Sequence, residues 1–173
     1  MKFILSRTIL YSLSALFLTT SCLFAQNNPP SKIKASSIQV EMIQSGEIEL
    51  PAEFKIALYE NLLRQLDKQK GSLQIYREGD PNAAAAADLV ILHTTVRKFK
   101  AGSERTRQVT TFAGATSITV HCSFTGQDGN LLLERDVNGK VRFFGGNLRA
   151  THDFAKKAAQ MVRENLSAPA NGQ

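Results

Sequence analysis

The sequence predicts an α+β fold: one domain, with a largely antiparallel or mixed sheet of about five strands and two amphipathic helices packed on one face. Three observations carry this. Residues 117–125 alternate strictly, with Ile118, Val120, Cys122 and Phe124 on one side and Ser117, Thr119, His121, Ser123 and Thr125 on the other. Two segments, 51–71 and 147–166, repeat apolar residues at three- and four-residue steps. The order strand, helix, four strands, helix leaves two helices with one apolar stripe each, so both must lie on the sheet.

The elements follow in order. The first strand is expected at 33–43, where Ile38, Val40 and Met42 alternate with Ser37, Gln39 and Glu41, so the first three form the inward set. Pro51 suits the first turn of a helix because its missing N–H has no partner there anyway. Phe54, Ala57, Leu58, Leu62 and Leu66 then form the stripe, and Gly71 ends the helix. A short strand at 73–77 closes on Glu78-Gly79-Asp80-Pro81-Asn82. Ala83–Ala87 favours helix by propensity, but five residues cannot sustain one alone, so a loop or single turn is expected.

The next strand, 88–100, begins with the continuous apolar run Leu89 to Leu92, which suits a strand covered on both faces, and ends in basic residues that leave the core. The 117–125 strand and a strand from Leu131 form a hairpin, joined by the tight-turn pair Asp128-Gly129. Gly145 and Gly146 end the sheet. Asn147 is placed to cap the last helix, in which Phe154, Ala158, Met161, Val162 and Leu166 make the stripe. No period of twenty to fifty residues repeats, which excludes solenoids and propellers.

The N-terminus has the layout of a secretory signal, with Lys2 and Arg7 followed by an uncharged run to Ala25. Ser12, Ser14, Thr19, Thr20 and Ser21 dilute that run, and no basic stop-transfer cluster follows. Two processing sites compete. Ala25 stands at the small position before a cut, giving a mature chain that begins at Gln26; Ser21-Cys22 offers a lipidated start instead, although Thr19 stands where an aliphatic residue is preferred. The better match is cleavage between Ala25 and Gln26. The expected organisation is a signal peptide at 1–25, a polar linker at 26–32, one α+β domain at 33–167 and a disordered tail at 168–173.

Loss of the signal segment lowers the formal charge from +6 to +4. This mild excess suits an anionic envelope surface or an acidic partner, and falls short of what nucleic-acid binding requires. Of two cysteines, Cys22 is either removed or acylated, so Cys122 is alone and no disulfide framework, zinc ribbon or CxxC redox motif exists.

The residues ADLVILHTTVRKFKAG and TTFAGATSITVHCSFTGQDGNLLLERDVNGK resemble the bacterial domain of unknown function 4410. The matching positions are Ala87 and Asp88, Ala113 to Ala115, Ile118 to Phe124, Asp128 and Gly129, and Gly139; the similarity extends from about Ile38 to Leu166. The resemblance implies a small exported or lipidated envelope domain with no assigned activity, similar in element order to sheet-plus-helix modules of periplasmic assembly lipoproteins. It also makes Gly139 a strand-end glycine, so Asn138-Gly139 is read as a bulge or strand end and not as a second hairpin.

No catalytic, cofactor or metal site is expected. His121 and Cys122 are adjacent and face opposite ways on a strand. A two-histidine site from His93 and His121, or a distant constellation with Asp88, is the rival reading. No GxSxG, HExxH or Walker spacing occurs. Glu47 with Glu49, and Glu134 with Asp136, share a strand face and cannot oppose each other across a cleft as glycosidase carboxylates do.

The candidate functional feature is a basic stretch, Arg97, Lys98, Lys100, Arg105 and Arg107, relieved only by Glu104. It forms either a patch for an anionic partner or charged protection for a sheet edge. The expected role is a non-enzymatic envelope binding or assembly module, periplasmic or secreted, with an envelope protein or anionic surface as partner and no nucleic acid; membrane attachment follows only if Cys22 is lipidated. A structural outer-membrane lipoprotein and a hydrolase or metal-dependent enzyme are the alternatives.

Overall fold

The computed structural model describes residues 32–103, 105–106, 114–141 and 146–168. It contains β1 (Ile33–Lys34), β2 (Ser37–Val40), α1 (Ala52–Gln69), β3 (Gln74–Arg77), β4 (Leu89–Lys100), β5 (Thr116–Gly126), β6 (Leu131–Val141), α2 (Arg149–Asn165) and β7 (Leu166–Ser167). Five strands form one mixed sheet in the order β3-β2-β4-β5-β6. β2 is parallel to both neighbours, and β4, β5 and β6 are antiparallel. β1 and β7 make a separate two-residue parallel pair that ties the two ends of the domain together.

Both helices lie on one face, and the core sits between them and the sheet. Phe54, Leu58, Leu62 and Leu66 of α1 are buried, joined by Tyr59 and Leu63; Ala57 is half-buried. α2 buries Phe154, Ala155, Ala158, Met161 and Val162. Across from them stand Ile38, Val40, Val90, Leu92, Val96, Ile118, Val120, Cys122, Phe124, Val137 and Val141. Burying each of the larger aliphatic or aromatic side chains contributes about 1.5–3 kcal/mol, and in a chain with one cysteine in the described residues this packing is the main source of stability. At the sheet edge, Arg77 donates to both carboxylate oxygens of Glu60 at 2.7 and 3.0 Å and lies over the Tyr59 ring. That guanidinium holds the Glu60 carboxyl below the usual range.

The expected first strand is broken into two, with its inward set altered. Ile38 and Val40 are fully buried, but Met42 is 47% exposed and Ile43 is buried in its place. The cause is an extra residue. β2 pairs Val40 with Leu92 and then regains β4 at Gln44 opposite Thr95, so four steps on one side match three on the other. The Met42 N–H, displaced from the ladder, donates to Glu78 at 2.7 Å.

Three further expectations change. β4 is covered on one face only: Val90, Leu92, Thr94 and Val96 are buried while Ile91, His93 and Thr95 are half-exposed. Gly139 is inside β6, opposite Ile118, and is not a strand end. A Cβ there would lie 2.3 Å from the Ala150 carbonyl oxygen and 2.7 Å from Phe154 Cβ, so glycine is needed for α2 to approach the sheet. Asn147 does not cap α2 through its side chain; its Oδ1 accepts from Thr116 Oγ1 at 2.6 Å instead. The Asp128-Gly129 turn stands as expected, with Gly129 at φ +78°.

Candidate functional site

The second face of the sheet carries no helix among the described residues, and strand pairing orders its side chains into cross-strand rows. Lys100, Ser117 and Lys140 form one row, followed by Lys98, Thr119 and Asn138; then Thr95, His121 and Asp136; then His93, Ser123 and Glu134. Glu41 borders the last row through His93. The face is therefore graded in charge, with ammonium groups at one end and carboxylates at the other.

A bulge creates the cationic end. β4 pairs Val96 with Val120 and then Lys98 with Thr119, which leaves Arg97 as an extra, unpaired residue. Without that insertion Lys98 and Lys100 would continue the buried series Val90, Leu92, Thr94, Val96. With it, Phe99 takes the inward direction opposite Ile118 and contacts Phe54 at 4.9 Å between ring centroids, while both lysines turn outward. An open concavity of about 640 Å³ follows, lined by Lys98, Lys100, Lys140, Ser117, Thr119 and Asn138 and bordered by Ile48 and Phe99. Its lining contains no carboxylate among the described residues. Among the described residues none of the three ammonium groups forms an ion pair. Thr119 Oγ1 donates to Asn138 Oδ1 at 2.7 Å, and the Asn138 amide nitrogen has no hydrogen-bond partner among the described residues.

The other end holds two separate histidine–carboxylate pairs. His93 Nδ1 meets Glu41 Oε2 at 2.6 Å and its Nε2 meets Thr125 Oγ1 at 2.9 Å. His121 Nδ1 meets Asp136 Oδ1 at 2.8 Å, with Glu134 at 3.6 Å from Nε2. The two rings are diagonal neighbours on adjacent strands, but each is occupied by its own acidic partner. Among the described residues no group of three or more His, Cys, Asp or Glu side chains is arranged to hold a metal ion. Asp88 lies five residues before His93, about 16 Å along an extended strand, and takes a positive φ of 45° at the turn into β4. The rival constellation of His93, His121 and Asp88 is thus not assembled.

Cys122 faces the opposite way and is fully buried. Burial, with a smaller contribution from the negative charge of Asp136, pushes its thiol up to about 12. A thiol held neutral in this way is a core hydrophobe and a poor nucleophile.

Of the basic stretch, Lys98 and Lys100 lie together on the open face, Arg97 is exposed at the bulge and Arg105 is exposed in the following segment. Arg107 lies outside the described residues, as do Cys22, Ala25 and Gln26. Lys140 joins the cluster although sequence reading missed it; pairing the 117–125 strand through to Gly139 and beyond places Lys140 beside Ser117. Glu47 and Glu49 are on no strand and border an adjoining concavity of about 710 Å³, which shares Ile48 and Phe99 with the lysine concavity and is also lined by Lys55 and Pro51. No helix among the described residues is long and apolar enough to cross a membrane.

No protein-family model matches the chain, and no curated protein matches it. The resemblance to the domain of unknown function 4410 thus rests on its sequence motifs. Solved structures share the fold. The PelC dodecamer from Paraburkholderia phytofirmans is 10% identical, covers 78% of this chain and 93% of its own, and superposes with a TM-score of 0.57. A point variant of that dodecamer is 12% identical, with coverages of 78% and 91% and a TM-score of 0.54. Protein XCC0632 from Xanthomonas campestris, of the domain of unknown function 330 family, is 12% identical, with coverages of 79% and 84% and a TM-score of 0.44.

Proposed function

We propose that this chain is a non-catalytic module of the bacterial cell envelope, exported by its N-terminal signal, which binds or assembles with another envelope component through the open face of its sheet. The observation that carries this reading is the row arrangement of Lys98, Lys100 and Lys140, three outward cations that, among the described residues, have no ion-pair partner and stand on a face with no helix. Cationic groups gathered on an exposed sheet face favour capture of an anionic partner, with a strength that falls as salt rises. The charged-then-apolar leader ending at Ala25 supports the location. The dodecameric PelC structures of the same fold support reading the domain as one that assembles.

The test uses protein purified from cells that export it. Isolated envelope fractions should retain it, and Lys98→Glu with Lys100→Glu should abolish retention while Lys156→Glu, on an exposed turn of α2, leaves it unchanged. Equal retention of both variants would refute the open-face reading.

A further inference from the structure

We propose that the lysine concavity is a binding site for a phosphorylated sugar, with the phosphate seated over Ser117. This rests on the open-face reading above and names its ligand. Ser117 lies between Lys100 and Lys140 in one row, so the two lysines stand one strand spacing to either side, about 4.8 Å each at the backbone. Lysine side chains are long enough to bend over the row, which would bring both ammonium groups to an anion resting on the Ser117 hydroxyl. Lys98 stands two residues along β4, about 6.8 Å away, and reaches the same anion from a third direction.

Three ammonium groups, two from β4 and one from β6, match a tetrahedral dianion with several acceptor oxygens. A lone carboxylate, which is planar, is met better by the fork of an arginine. The adjoining row supplies what a sugar needs and a bare phosphate does not. The Asn138 amide nitrogen, which has no partner among the described residues, stands beside the Thr119 hydroxyl, and Ile48 adds an apolar residue to the lining. The concavity, at about 640 Å³, is within the range of about 300–1,000 Å³ typical of small-molecule sites. Asp136 stands in the Thr95 row, paired with His121, and Glu134 and Glu41 lie one row further from the lysines, beside Ser123 and His93.

The experiment titrates the exported protein with glucose 1-phosphate, inorganic phosphate and glucose, following backbone amide NMR signals. Glucose 1-phosphate should shift Ser117 and Thr119, bind at least tenfold more tightly than inorganic phosphate, and weaken as salt is raised. Lys100→Gln and Lys140→Gln should each weaken it at least tenfold, while Lys156→Gln should not. Phosphatidylcholine vesicles with and without lipid A separate the two sources of this chemistry. Capture that needs lipid A and is competed by glucose 1-phosphate assigns a glycolipid headgroup, and sugar phosphate binding without vesicle capture assigns a free one. Absence of any shift at Ser117 and Thr119, or undiminished binding by both lysine variants, overturns the site. If envelope retention still depends on Lys98 and Lys100 in that case, the open-face reading stands with a different partner; if retention is also independent of them, both fail.

Discussion

Phe99 packs against Phe54 with ring centroids 4.9 Å apart and planes tilted by 58°, and this contact decides which way two lysines point. Because Phe99 must face the helix layer, its neighbours Lys98 and Lys100 face away from it, and the single extra residue Arg97 absorbs the change of direction. The cationic end of the open face is therefore a product of core packing.

Deletion of Arg97 would force a choice between burying Phe99 and keeping the lysines in solvent. Loss of more than about 3 kcal/mol of stability is expected, since burying unpaired ammonium groups is among the costliest changes a core can suffer. Arg97→Ala, which keeps the bulge, should change stability by less than about 0.5 kcal/mol. Denaturant melts of the two variants side by side check this, and a deletion as mild as the alanine change would sink it.

Gly139→Ala tests the docking of α2. The added methyl would meet the Ala150 carbonyl oxygen and the Phe154 Cβ at distances no relaxed contact allows, so the helix must shift. A loss of about 1–3 kcal/mol is expected. Unchanged stability would show that α2 does not sit this close to β6.

Cys122 should be silent to thiol reagents in the folded protein and react once the chain is denatured. Its folded pKa is raised, to about 12, so the stabilisation from the neutral buried thiol is complete below the unfolded value near 9. It then declines as pH rises toward the folded value. Near pH 10.5 the unfolded chain gains about 2 kcal/mol from ionising this group. The stability gap between the wild type and Cys122→Ala should therefore narrow between pH 8 and pH 10.5. A constant gap, or rapid alkylation of the folded protein, would contradict a buried thiol.

The sequence made the two helices, the start of the return strand at Leu131 and the Asp128-Gly129 turn legible, because period and turn chemistry are local signals. What it hid depends on pairing between distant strands. The bulges at 41–43 and at Arg97 invert alternation, and only the partner strand reveals an inserted residue; hence Met42 was read inward and Ile43 was not. Lys140 has no sequence neighbour in the cationic cluster and joins it solely through register with Ser117 and Lys100. Asn147 reads as a cap by residue type, yet Thr116 from the far end of β5 claims its side chain. Gly139 resembled a strand end because the demand for a missing side chain comes from α2, not from the strand itself.

The mature protein should begin at Gln26. Intact mass of the exported protein, taken from both membrane and soluble fractions, checks this directly, and the expected species starts at Gln26 in the soluble fraction. A chain starting at acylated Cys22 in the membrane fraction would make it an anchored lipoprotein and would direct the search for partners to the membrane surface.

The most direct measurement is photo-crosslinking in living cells from a reactive residue placed at Thr119, at the centre of the open face, against the same residue at Lys156 on α2. The open-face reading predicts a discrete crosslinked product from position 119 that disappears when Lys98 and Lys100 are reversed to Glu, with no such product from position 156. Crosslinks from position 156 alone, or products from 119 that persist unchanged in the charge-reversed protein, would contradict it.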